Sequence, residues 1–215
     1  MIKIRHLIFV FTPAILVVGL ALFIRISQYE PLEPDFEQLA QNAKNDQFSI
    51  PIFPEDPVIG SKTSPITLVN FADFGCEACK EQHEIITALM AAHPGQIKTI
   101  WKGLPVTRFP FDTRAAHTVA FCMNQVGAFD AFAARAFANS DNLSPSVLDA
   151  MIESMDVPSK QFNECRDSGR ADAYIQKIET VARALDIQSV PAIFIDNKQI
   201  QPPATVEAWE SLLQL

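Results

Sequence analysis

The sequence lacks what several function classes need. Basic residues are in deficit, with 17 Lys and Arg against 25 Asp and Glu and a net charge of −8, which argues against a nucleic-acid surface. There is no second C-x-x-C, and His6, His83, His93 and His117 form no paired motif. The four ligands of a structural zinc site are therefore not assembled. Neither an internal repeat nor a low-complexity tract is present, so nothing supports a solenoid.

What is present begins with Leu7 to Ile24, 18 residues without a charge, preceded by Lys3, Arg5 and His6. Such a run suffices to cross a bilayer and exceeds the usual signal-peptide core. The basic residues ahead of it put the N-terminus in the cytoplasm and the rest outside. Residues 1–25 thus read as a transmembrane signal anchor. Gly19-Leu20-Ala21 keeps a cleaved signal open as the alternative, and no following cysteine offers a lipid attachment point. Either way the remainder is exported, to the periplasmic or extracellular side of the cell membrane. There disulfides persist, and the 4 cysteines permit two pairs.

Residues 26–58 hold Pro31, Pro34, Pro51, Pro54 and Pro57 and read as an extended stalk. Asp35 to Asn45 fits a short helix with Phe36, Leu39, Ala40 and Ala43 on one side. It either packs on its own domain or serves as an oligomerisation handle.

From residue 59 to 215 the pattern is that of an α/β domain. Ile66 to Phe71 is a β-rich apolar run suited to a central strand. Glu77 to Ala92 follows as a helix closed by His93-Pro94-Gly95, and Ile97 to Trp101 is a second strand. This β-α-β unit implies a parallel arrangement. Residues from about 112 to 170 then read as purely helical, with Ser144-Pro145 as a helix start and Gly169 as a helix stop. A long helix through Ile175, Ile178, Val181, Ala182 and Leu185 leads to Val190-Pro191. The strand Ala192 to Asp196, a turn at Asn197-Lys198 and a terminal helix from about Thr205 complete the chain.

Between the first strand and the first helix lies Phe74-Gly75-Cys76-Glu77-Ala78-Cys79-Lys80. Two thiols three residues apart either close a disulfide or hold a metal. A helix opening at Cys76 favours redox chemistry, because free N–H groups and the positive helix end stabilise a thiolate there.

Four segments in order give the chain a resemblance to the DsbA-like thiol-disulfide oxidoreductases. Pro57-Val58-Ile59-Gly60 through Pro65 to Cys76 resembles their approach to the active site. Lys102-Gly103-Leu104-Pro105 with Arg114-Ala115-Ala116 resembles the entry into their insertion. Cys122 to Phe129 and Phe162-Asn163-Glu164-Cys165 resemble two insertion signatures. Ala184 to Ile195 resembles the approach to a cis-proline. The resemblance implies a thioredoxin-like fold with an inserted helical subdomain. It further implies a cis Pro191 beside Cys76, a Val190 that pairs by its backbone with substrate, and catalysis by Cys76 and Cys79 without cofactor or metal.

The partners implied are exported cysteine-containing proteins and a membrane redox protein, either a quinone-linked oxidase or an electron donor. The family's strong oxidases carry a histidine inside the dipeptide, which Glu77-Ala78 lacks. A milder oxidant is expected, since Glu77 opposes a thiolate at Cys76. His83 partly compensates or is an ordinary helix residue. Asn70 stands where thioredoxin-like proteins often bury a carboxylate and cannot accept a proton as a carboxylate would. Asp73 is the nearer carboxylate, and its role is open.

Cys122 and Cys165 are either two buried thiols or, as export and the even cysteine count favour, a structural disulfide. Dithiol oxidation is the leading function. An isomerase or reductase of the same fold is the alternative, and a metal-binding assembly protein using Cys76 and Cys79 is the rival from another class.

Overall fold

The computed structural model describes residues 17–20 and 49–215. The chain divides into two units, Met1–Asp35 and Phe36–Leu215. Residues 17–20 of the first are helical. Among the described residues no helix is long and apolar enough to cross a membrane. The expected anchor and the expected helix at Asp35 to Asn45 lie outside the described residues but for that one turn.

The second unit is built on a five-stranded sheet in the order β1-β3-β2-β4-β5. Its strands are β1 (Val58–Gly60), β2 (Ile66–Ala72), β3 (Ile97–Gly103), β4 (Ala192–Ile195) and β5 (Lys198–Ile200). β2 runs parallel to β3, with Val69 opposite Ile100, while β1 is antiparallel to β3 and β4 to both β2 and β5. The parallel pair is joined by α1 (Glu77–Ala92), the β-α-β unit that the pattern predicts. The turn after β4, expected at Asn197-Lys198, falls one residue earlier, at Asp196 and Asn197, both at positive φ, a conformation that a tight hairpin requires.

Alternation along β2 sends its side chains to two separate cores. Leu68 packs with Ile193, Ile86 and Leu89 of α1, and Trp209 of α7 (Val206–Leu213). Val69 and Phe71 pack with Ile100, Phe194 and the helical subdomain. That subdomain comprises α2 (Arg114–Gln125), α3 (Phe129–Ala138), α4 (Pro145–Glu153) and α5 (Ser159–Asp167), and it leads into α6 (Arg170–Ala184). Gly169, expected to stop α5, stands directly after its C-cap Ser168 at φ 71, the left-handed helix stop, and is also the N-cap of α6. Cys122 of α2 and Cys165 of α5 are disulfide-bonded, with Cα atoms 5.7 Å apart. The bond ties two helices that already pack together.

The end of the predicted stalk is folded onto the domain. Ile50, Phe53 and Asp56 are buried. Lys102, fully buried at the end of β3, donates to the Pro51 carbonyl at 2.7 Å and pairs with Asp56. Tyr174 of α6 donates to the other Asp56 oxygen at 2.7 Å. Every oxygen of this buried carboxylate has a donor, since Phe53 N–H also reaches it at 2.7 Å. Such an arrangement holds a buried ion pair that would otherwise cost several kcal/mol per ion, on the order of its desolvation.

Candidate active site

β2 ends at Ala72, and Asp73-Phe74-Gly75 carries the chain to Cys76, the N-cap of α1. Phe74 is fully buried against Trp101, Phe132, Phe137 and His117. Burying such a ring stabilises by roughly 1.5–3 kcal/mol, so the turn before Cys76 is anchored by packing. Gly75 is required by close approach: a Cβ there would meet the Thr113 and Thr107 Cγ2 atoms at 2.8 and 2.9 Å.

Cys76 takes the place of an N-cap serine or aspartate, its sulfur accepting the Cys79 N–H at 3.2 Å. Hydrogen bonding from the Cys79 thiol, and from the Cys79 and Ala78 N–H groups, lowers its pKa to about 7. Burial and the negative charge of Asp73 oppose that fall. Cys79 is 1% exposed, and burial pushes its thiol far above the usual range. The two free thiols therefore differ sharply in acidity. By acidity and exposure Cys76 is the sulfur fit to be attacked and to leave, while Cys79 lies buried behind it.

Val190, from the far end of the chain, completes the site. Its carbonyl oxygen accepts the Cys76 thiol at 3.5 Å, and the Val190–Pro191 bond is cis. Four of the expected site residues, Cys76, Cys79, Val190 and Pro191, thus meet at one place. Glu77 and Ala78 are exposed on the first turn, with Glu77 3.8 Å from Lys80. His83 is half-buried with its ring stacked on Phe137 at 4.7 Å, and burial lowers its pKa. Asn70 is buried in β2, and its Oδ1 has no hydrogen-bond partner among the described residues.

Asp73 is the polar centre of the site. Oδ1 accepts from Gly75 N–H at 3.3 Å and from His117 Nε2 at 3.1 Å. Oδ2 accepts from Val106 N–H at 2.9 Å and Thr107 N–H at 2.6 Å. Burial raises its pKa, but these hydrogen bonds and the His117 interaction outweigh it and hold the carboxyl well below the usual range. The partnership with His117 was not visible in the sequence, where that histidine is a lone polar residue on an alanine-rich helix face. Beside Gly75 and Glu77 opens a pocket of about 210 Å³, walled by Thr107, Pro110, Phe111 and Leu143. Phe109, on the same loop, is 86% exposed. Among the described residues no group of three His, Cys, Asp or Glu side chains is placed to hold a metal ion.

A family model described as thioredoxin matches residues 53–214. The Na(+)/H(+) antiporter NhaA 3 of Salinispora tropica is 26% identical over 161 residues, 74% of this chain and 24% of that protein. The chain spans about a quarter of the length of the curated relatives it matches. Among solved structures, the thiol-disulfide exchange protein alpha-DsbA2 from Wolbachia pipientis superposes with a TM-score of 0.69 at 16% identity, covering 83% of this chain and 96% of that one. The catalytic domain of Proteus mirabilis ScsC superposes with a TM-score of 0.64 at 19% identity, covering 82% and 97%. These last two are likenesses of fold.

Proposed function

The chain belongs to the thioredoxin family, and from that premise we propose that it is an extracytoplasmic thiol-disulfide oxidoreductase acting chiefly as a dithiol oxidase. The observation that carries this reading is the pairing of an acidic, half-buried Cys76 with a buried Cys79 beneath the Val190 carbonyl. A substrate thiolate attacks Cys76 Sγ, forming a mixed disulfide and breaking the Cys76–Cys79 bond. Cys79 departs as a thiolate and takes up a proton. A second thiolate of the substrate then attacks the substrate sulfur of the mixed disulfide, and Cys76 leaves as a thiolate. The substrate loses two electrons and gains a disulfide, while the protein ends as the dithiol.

Exported proteins with pairs of cysteines are the substrates of this reading. A membrane-bound, quinone-linked oxidase would restore the Cys76–Cys79 disulfide. The charged leader Lys3, Arg5 and His6 ahead of Leu7 to Ile24 supports a domain outside the cytoplasm. The charge of Asp73, which restrains the Cys76 thiolate, favours the second reading, a reductase or isomerase running the same steps in reverse.

Oxidised protein mixed with excess reduced dithiol peptide should yield one peptide disulfide per protein molecule. Cys76→Ser should yield none, and Cys79→Ser offered the peptide in its disulfide form should trap it on Cys76, whose thiolate attacks the peptide disulfide and releases one peptide thiolate. Peptide oxidation by the Cys76→Ser protein would overturn the assignment.

A further inference from the structure

Asp73 is 0% exposed, yet it is ionised and surrounded by donors. Four N–H groups from three parts of the chain converge on it: Gly75 before Cys76, Val106 and Thr107 after β3, and His117 on α2. Its own carbonyl accepts the Cys76 N–H at 3.3 Å. The carboxylate thus sits at the base of the turn that presents the reactive sulfur, out of reach of screening salt.

Nearby cations are committed elsewhere. Lys80 turns to Glu77, Lys102 to Asp56, and Arg108 makes a two-pronged bond to Asp112. His117 is the basic side chain that meets Asp73 among the described residues, and its Nε2–H can donate whether or not the ring is charged. A buried anion hydrogen-bonded to the Gly75 N–H, one residue before a sulfur that must become an anion, disfavours the second charge. Reduction creates that thiolate, and oxidation removes it.

We propose that Asp73 is a positioning residue that holds the turn before Cys76 in place and, by its charge, makes the Cys76–Cys79 disulfide harder to reduce. This rests on the exchange function proposed above and names the residue that sets its strength. It also places the moderating charge within the fold, not on the exposed Glu77. Because the same carboxylate holds Val106 and Thr107, the Phe109-bearing loop and the thiolate share one support.

Asp73→Asn keeps the shape and a carbonyl for Val106 and Thr107 while deleting the charge. We expect the Cys76 ionisation midpoint, read from thiolate absorbance, to fall by about one pH unit. The equilibrium with glutathione should move about tenfold toward the reduced protein, a potential about 30 mV less negative. His117→Gln, which leaves the anion and an N–H donor, should stay within about twofold of the parent. A merely structural Asp73 would lower stability and leave the midpoint and potential alone, and that result would overturn the proposal. Should the asparagine variant not fold, the carboxyl carbon resonance of Asp73 in the reduced parent protein should follow the Cys76 titration. A flat resonance would overturn it equally. A parent protein that never equilibrates with glutathione would instead sink the exchange function itself.

Discussion

The sulfur of Cys76 lies 3.5 Å from the carbonyl oxygen of Val190, 114 positions away in the chain. A thiol at Cys76 can donate to that oxygen, whereas a thiolate cannot. An extended peptide that pairs with Val190 would compete for the same acceptor. Substrate binding and thiol ionisation therefore meet at one atom.

The acidity of Cys76 gives the first expectation. Alkylation of the reduced protein should rise with pH about a midpoint near 7, with Cys79 protected in the folded state. The folded-state value lies below that of an unfolded cysteine, so Cys76 ionisation stabilises the folded dithiol form as pH rises from about 7 toward 9. That contribution is lost as pH falls through 7. Mass mapping of labelled peptides checks the site, and urea midpoints at several pH values check the linkage.

The Cys122–Cys165 bond closes a separation of 43 residues. In the chain-entropy model a loop of that size contributes on the order of 4 kcal/mol. Replacing both cysteines with alanine should lower unfolding free energy by about 2–5 kcal/mol while leaving exchange at Cys76 intact. Chemical denaturation alongside peptide oxidation measures both.

Much of this fold is legible in the sequence because its signals are local. The apolar run of β2, the helix stripe of α1 and the strand after Val190-Pro191 all follow from neighbours within one element. Cys76, Cys79 and Pro191 likewise sit in readable motifs. The partners of the buried charges do not. Asp56 lies in a proline-rich stretch, and its partners Lys102 and Tyr174 are 46 and 118 positions away. His117 meets Asp73 across 44 positions. β1 and β5 have three residues each, too few for a periodicity, and exist because neighbouring strands pair with them.

Asp56 and Lys102 yield a sharper stability test. Asp56→Ala strands a fully buried ammonium, and breaking such a pair on one side costs roughly 3–5 kcal/mol. Replacing both partners with apolar residues, Asp56→Leu with Lys102→Met, should recover most of that loss. Thermal and urea unfolding of the single and double variants checks it.

Acid stability should report Asp73. Its folded-state pKa lies below the unfolded one, so its stabilisation is complete above the unfolded value of an ordinary carboxyl. It fades as pH falls toward the folded value. Parent protein and Asp73→Asn should therefore differ most in unfolding free energy near neutrality and converge in acid. Urea midpoints from neutral to strongly acidic pH test this.

The reduction potential of the Cys76–Cys79 couple, measured by equilibration with glutathione, tests the oxidase reading most directly. The account predicts a mild oxidant, between the strong oxidases at about −120 mV and the reducing thioredoxins at about −270 mV. A value at or below about −270 mV would contradict it, because that is the poise of the reducing thioredoxins.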